Sequence, residues 1–265
     1  MDEPLELFGE FGNPSFLDLL RRHSPDLLPR LAVEPGSEPV RAPHGTTVLA
    51  LRYRDGVIMA GDRQATEGFQ VASRRIEKIF KSDDLSGVGI AGVAGPAMEM
   101  ARLFQTELEH YEKVEGSNLS LDGKANKLSQ MIRANLPAAM QGLVVVPLFC
   151  GYDLRKGDGR LYKYDVTGGK YEEADYATTG SGSVHARNWV KAGYRAGMSQ
   201  EEVVDLALLA LLQAADEDSA TGGPDLVRHI FPTVAVIDRD GYVKLADDDV
   251  ERRSITLLDS GRSAL

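Results

Sequence analysis

The chain predicts an α+β fold, two antiparallel sheets stacked face to face with a helix pair on each outer side: a four-layer αββα sandwich. Three observations carry this. Strand-like and helix-like runs are segregated along the sequence in the order strands, two helices, strands, two helices, strands. Asp55-Gly56 separates two β-rich apolar runs, a hairpin signal that makes neighbouring strands antiparallel. With 265 residues, 43% of them apolar, and no repeat of solenoid length, the chain can bury one substantial core behind a leader.

Residues 1–45 hold seven of the twelve prolines, Pro4, Pro14, Pro25, Pro29, Pro35, Pro39 and Pro43. That density breaks the segment into pieces too short for a stable helix or a central strand, and only residues 15–31 have amphipathic character. The composition changes at Thr46, which places the one domain boundary between 1–45 and 46–265.

Beyond the boundary, 48–51 and 57–62 form the first hairpin around Arg54-Asp55-Gly56, and 75–80 and 87–91 read as further strands. A helix opens at Gly95-Pro96. Its apolar residues Ala97, Met100, Phe104, Leu108 and Tyr111 step by three and four, and Pro96 suits a first turn. A second helix spans 122–142 with Ala125, Leu128, Ile132 and Leu136 on its stripe and a bend near Pro137. Strands follow at 143–152, 160–166 and 171–178. Gly180-Ser181-Gly182-Ser183 turns into a helix bearing Ala186, Val190 and Tyr194, and 200–215 forms the next with Val204, Leu208 and Leu211 inward. A hairpin of 233–238 and 241–246 closes the pattern.

Composition excludes several classes. A net charge of −10 without a Lys/Arg run argues against a nucleic-acid surface. No apolar run approaches the ~20 residues of a membrane helix, and the acidic start Met1-Asp2-Glu3-Pro4 lacks the features of a secretory signal. The single cysteine, Cys150, sits in a buried strand, so there is no disulfide framework and a reducing compartment is natural. No cofactor is expected. The histidines have no ligand-like spacing, and the calcium-loop resemblance at Asp216 to Gly222 fails because Ala220 stands at a ligand position and Thr221 at the turn glycine. Gly180 to Ser183 lacks a Walker lysine and reads as a capping turn.

The remaining chemistry centres on Gly45-Thr46-Thr47. A hydroxyl is a weak nucleophile until a base takes its proton. If the leader were removed between Gly45 and Thr46, the free α-amine of Thr46, titrating near ~7.7–8.0, would be that base. Taken alone, the stretch also reads as an ordinary strand after a loop glycine. Asp62 ends the second hairpin strand, and Lys78 on the next strand could neutralise it; an ammonium near the Thr46 hydroxyl would favour proton loss.

Gly45-Thr46-Thr47-Val48, Gly61-Asp62-Arg63, Lys78, Ala91-Gly92-Val93-Ala94, Gly180 to Ser183 and Asp218-Ser219-Ala220-Thr221-Gly222-Gly223 together resemble, in order and spacing, the proteasome β-subunit family, over essentially all of 46–246. Residues 131–148 and 219–232 look most like its actinobacterial 20S branch. The resemblance implies an N-terminal nucleophile hydrolase fold and a cytoplasmic threonine endopeptidase that removes its own propeptide. Thr46 would be the nucleophile, tuned by Asp62 and Lys78, with the Gly92 amide as oxyanion donor and Ser181, Asp218 and Thr221 orienting the amine. The family usually has Ser where Thr221 stands. Ala65, Ile76, Ile90 and Ala94 would line the side-chain pocket, and Thr66 and Gly92 would bond the substrate backbone. Implied partners are copies of itself in a seven-membered ring, proteasome α-subunits, a ring-shaped ATPase acting through the α-ring, and tagged protein substrates. An HslV-type peptidase shares the Thr-Thr start but is shorter and lacks the leader and the 218–223 motif. A noncatalytic ring subunit would share the fold, yet no packing requirement selects Thr46, Asp62 and Lys78 together.

Overall fold

The computed structural model describes residues 45–67 and 70–262. The leader's expectations, residues 1–44, lie outside the described residues. Among the described residues, twelve strands are arranged in two five-stranded antiparallel sheets and one small hairpin. The first sheet has the order β10-β1-β2-β11-β12, from β1 (Thr47–Tyr53), β2 (Gly56–Gly61), β10 (Tyr176–Gly180), β11 (Thr233–Asp238) and β12 (Gly241–Lys244). The second has the order β5-β6-β7-β8-β9, from β5 (Ile79–Asp83), β6 (Ser86–Gly89), β7 (Leu148–Asp153), β8 (Asp158–Tyr164) and β9 (Lys170–Glu173). β3 (Ala65–Glu67) pairs with β4 (Gln70–Ser73) apart from both.

Side-chain parity along a strand separates three cores. From β1, Leu49, Leu51 and Tyr53 point toward α4 (Ser183–Gly193) and α5 (Gln200–Glu217), among Ala186, Val190, Val204 and Leu208. The alternate residues Val48 and Ala50 point the other way and meet Leu148, Cys150 and Leu161 of the second sheet. The outer face of that sheet, Val88, Phe149 and Tyr162, packs on Phe104 of α1 (Ala94–Glu115) and Leu128 of α2 (Leu121–Ala134). Each sheet is therefore covered on both faces, which is why Val48 to Leu51 of β1 and Val57 to Ala60 of β2 read as unbroken apolar runs instead of alternating ones.

Several boundaries differ from those the sequence predicts. Residues 75–78 are not strand; β5 starts at Ile79, although Ile76 still donates its N–H to the Arg63 carbonyl at 3.1 Å. β3 and β4, three and four residues long, were too short to announce themselves. Residues 143–147 form only the isolated Gly92–Val145 bridge, and β7 begins after Pro147, whose missing N–H cannot serve a ladder. The 171–178 strand is two strands in different sheets: β9 pairs with β8, and β10 pairs with β1. The helix predicted at 122–142 breaks rather than bends, ending at Ala134 and resuming as the short α3 (Leu136–Ala139) with Pro137 in its first turn. Tyr111 of α1 is exposed at the end of its stripe.

The helix α6 (Asp247–Arg262) was not expected. Its sequence is mostly polar, with Val250 and Leu257 turned to the core; Asp247, Asp248 and Asp249 suit the positive end of a helix dipole, and Arg253 reaches Asp205 of α5 at 2.9 Å. One outer layer therefore holds α4, α5 and α6 instead of a pair. α5 itself buries more than one stripe, Val203, Leu206, Ala207 and Ala210 included, because it faces the sheet and both neighbouring helices. A capping box starts it: Glu202 donates its N–H to Ser199 Oγ at 3.3 Å and accepts the Ser199 N–H at 2.8 Å.

Antiparallel pairing brings the start of β1, the end of β2 and the end of β10 to one end of the first sheet, since Val48 pairs with both Gly61 and Thr179. In the second sheet the start of β5 and the end of β6 meet likewise, Ile79 pairing with Gly89.

Candidate active site

At this end of the sandwich, Thr46 immediately precedes β1 and is buried, with 6% exposure. Its hydroxyl donates to the Gly45 carbonyl oxygen at 2.5 Å, and its N–H donates to Ser181 Oγ at 3.3 Å. Ser181, in the turn between β10 and α4, donates in turn to Asp218 Oδ2 at 2.5 Å. Asp218 caps the C-terminal end of α5, so the helix delivers it to the mouth of the first sheet.

Asp62 follows β2 with 1% exposure, and Lys78 precedes β5 with 3%. Lys78 Nζ lies 2.6 Å from Asp62 Oδ1 and 3.2 Å from the Gly45 carbonyl oxygen, donating to both. Asp62 Oδ1 also accepts the Thr47 N–H at 2.8 Å; Oδ2 accepts those of Gln64 at 3.0 Å and Gly222 at 2.9 Å. With two donors on each oxygen, the carboxylate ties Lys78 to the start of β1 and to the segments after β2 and α5. Burial pulls the Lys78 ammonium below its ordinary pKa, and the Asp62 charge and hydrogen bond oppose that shift.

Thr221 follows α5 and is buried. Its hydroxyl donates to Asp218 Oδ2 at 2.6 Å, and the same oxygen lies 2.6 Å from Thr47 Oγ1. A hydroxyl has one proton, so with that of Thr221 given to Asp218 the Thr47 hydroxyl is the donor in the second bond. Thr221 makes both contacts through its hydroxyl, the group it has in common with serine.

Gly92 comes after β6 with φ +114°, and a Cβ there would stand 2.1 Å from the Val144 carbonyl oxygen. No residue with a side chain fits that conformation or that approach. Its neighbours are tied across the bridge, Val93 N–H to the Val144 carbonyl at 2.9 Å and Val146 N–H to that of Ala91 at 2.8 Å. The Gly92 N–H itself has no partner among the described residues. Gly180 has the same requirement: at φ +100°, a Cβ would meet the Thr46 carbonyl oxygen at 1.9 Å. The Gly-Ser-Gly turn is therefore shaped to press against Thr46, and more than a helix cap.

Ala65, Thr66, Ile76, Ile90, Gly92 and Ala94 line one pocket together with Thr46 and Lys78. Every residue that the resemblance singled out for chemistry or substrate is at this one end of the molecule. Thr47, Gln64, Gly222 and the pocket residue Ala97 were missed. Thr47 carried a signal, a polar residue at the head of an otherwise apolar strand; Gln64 and Gly222 act through backbone N–H groups, which no residue type announces.

The family described as "Proteasome subunit" matches residues 42–230. The chain is 53% identical over 249 residues to a protein named proteasome subunit beta from Streptomyces griseus, covering 94% of this chain and 89% of that one. It is 54% identical over 244 residues to a protein of the same name from Acidimicrobium ferrooxidans, covering 92% and 89%, and 54% identical over 248 residues to one from Acidothermus cellulolyticus, covering 92% and 86%.

Proposed function

This chain belongs to the proteasome subunit family, and from that premise we propose that it is a catalytic β-type core subunit, a threonine endopeptidase whose nucleophile is Thr46 once residues 1–45 are removed. The observation that carries the proposal is the double donation to the Gly45 carbonyl oxygen, from Thr46 Oγ1 and from Lys78 Nζ. A carbonyl that accepts an ammonium is polarised, and the hydroxyl that must attack it is already alongside.

Leader release then runs as an intramolecular acyl shift. A bond forms between Thr46 Oγ1 and the Gly45 carbonyl carbon, the Gly45–Thr46 C–N bond breaks, and the hydroxyl proton passes to the departing amine. Water hydrolyses the resulting ester, leaving the Gly45 carboxylate and the Thr46 amine free. In the mature site that amine takes the hydroxyl proton during attack on a substrate carbonyl and returns it to the leaving amine. Ser181, linked to Asp218, orients the amine. Lys78 favours the developing alkoxide, and the Gly92 N–H receives the oxyanion.

The same reading assembles the subunit with copies of itself in a seven-membered ring against proteasome α-subunits in the cytoplasm, with a ring-shaped ATPase supplying tagged proteins. Among the described residues no helix is long and apolar enough to cross a membrane. A noncatalytic ring subunit is opposed by the Lys78–Asp62 pair, because burying two charges carries a desolvation cost that packing alone does not require. An HslV-type peptidase is opposed by identities above one half, over most of the chain, to proteins named proteasome subunit beta.

The test is the mass of the mature chain in assembled particles of wild type and Thr46→Ala, with peptide hydrolysis measured alongside. The proposal expects wild type to begin at Thr46 and to cleave, and Thr46→Ala to keep its leader and be inert. A particle that cleaves peptides while every copy retains residues 1–45 would overturn it.

A further inference from the structure

A second cleft opens on Thr46, and it contains a cation that the proposed mechanism does not use. Its volume is about 490 Å³, against about 40 Å³ for the apolar pocket. Among the described residues that line the two, only Thr46, Ala91 and Gly92 are shared; the cleft is lined further by Val144, Val146, Thr178, Ser181 and Ser183, and by Lys163.

Lys163 lies on β8, paired with Leu148 and Tyr171. Its parity is that of Leu161, two residues before it, which points into the core between the sheets. Lys163 thus faces the inter-sheet gap at the end where the gap opens to Thr46. It is half-buried, and among the described residues it is the only charged side chain on the cleft wall and has no hydrogen bond or ion pair. By contrast, the two fully enclosed lysines are both matched, Lys78 by Asp62 and Lys124 by Asp83. A partly shielded ammonium without a carboxylate loses hydration with nothing in return.

We propose that this cleft receives the leaving-group side of the substrate and that Lys163 selects an acidic side chain among the first residues downstream of the cut. The inference rests on the proposed peptidase reading. If the pocket of Ala65, Ile76, Ile90 and Ala94 takes the side chain before the cut, an extended peptide passing Thr46 and Gly92 leaves through the other opening that those residues share. There the hydroxyls of Thr178 and Ser183 supply neutral polar contacts, and the one charged interaction comes from Lys163. A carboxylate would be drawn there; a lysine or arginine would be repelled.

The experiment uses assembled wild-type particles and internally quenched peptides with one common apolar upstream sequence, carrying Asp, Ala or Lys at the first and second downstream positions. A peptidyl aminocoumarin with the same upstream sequence, which has no downstream residue, is the reference. For wild type, kcat/KM for the best Asp peptide is expected to exceed that of its Lys counterpart about tenfold, the scale of one charge interaction of ~1.4 kcal/mol. Lys163→Met should bring the Asp-to-Lys ratio to within about twofold of unity, and Lys163→Glu should invert it. Because the readout is a ratio within each particle, a general loss of activity does not obscure it. If Lys163→Met did not assemble, the wild-type ratio alone would decide. Equal cleavage of the Asp and Lys peptides by a wild type that hydrolyses the aminocoumarin would overturn the role of Lys163 and leave the peptidase reading intact. A wild type inert toward every substrate would overturn the peptidase reading, and this inference with it.

Discussion

The Thr46 hydroxyl lies 2.5 Å from the Gly45 carbonyl oxygen, so a potential nucleophile and the peptide bond it is proposed to cut are held together by the fold itself. The seat of Gly45 is tight. A Cβ on it would stand 2.6 Å from Thr66 Oγ1 and 2.7 Å from both Cβ and the carbonyl oxygen of Ala220.

Gly45→Val is therefore expected to displace the carbonyl and slow leader release by roughly 5- to 150-fold, since overpacking a closed site costs roughly 1–3 kcal/mol. The mature fraction against time, read by intact mass, checks this. Release at the wild-type rate would mean that the seat yields freely and that Gly45 is not needed there.

Lys78→Ala should cost activity more than folding. Asp62 keeps three backbone N–H donors after the ammonium is gone, which holds the stability loss near the low end of the range for a broken buried pair, about 3 kcal/mol. The rate should fall roughly 10²–10⁴-fold, the scale of a lost proton-transfer contribution. Lys78→Arg should rescue little, because a planar guanidinium cannot direct donors at both Asp62 and the adjacent carbonyl position as a compact ammonium does. Turnover and chemical denaturation measured on the same particles separate the two effects; near-normal kcat in either variant would make Lys78 structural.

At Thr221 the hydroxyl should matter and the methyl should not. Thr221→Ser is expected to keep activity within about twofold, whereas Thr221→Val strands the Thr47 hydroxyl and removes a donor from Asp218, costing ~1–3 kcal/mol. Comparing both variants by melting temperature and by peptide hydrolysis tests this. If Thr221→Val behaved like Thr221→Ser, the chain from Thr47 through Thr221 to Asp218 would carry no function.

For the residue before the cut, the wall formed by Ala65, Ile76, Ile90 and Ala94 should favour an apolar side chain, gaining roughly 25 cal/mol per Å² of apolar area buried. Among the described residues the only charge lining that pocket is Lys78, already paired with Asp62. A charged side chain would lose its hydration there without a partner. Peptide-library profiling with particles whose α-ring gate is removed decides the matter; a dominant preference for Asp, Glu, Lys or Arg would contradict the pocket assignment and leave the Thr46 mechanism untouched.

What was legible in the chain is what short-range chemistry controls. Asp55-Gly56 announced the β1–β2 hairpin because a tight turn needs those residues, and Ala97, Met100, Phe104 and Leu108 announced the buried face of α1 because helical geometry repeats locally. Thr46, Asp62, Lys78, Gly92, Ser181, Asp218 and Thr221, by contrast, are unremarkable singly, and it was the family resemblance that pointed to them as a set. Where partners are distant in sequence, the chain was silent. Nothing near 171–178 says that β9 belongs to one sheet and β10 to the other, since both segments are extended and only long-range pairing with β8 or β1 separates them. α6 is polar overall, and its buried side, Val250 and Leu257, is settled by the core beneath α4 and α5 on which it packs. The four donors around Asp62 and the placement of Lys163, without an ion pair among the described residues, on a cleft shared with Thr46 are likewise products of the assembled sandwich: backbone N–H groups are the same in every residue, and whether a lysine has a carboxylate neighbour is decided by which strands the sheets bring side by side.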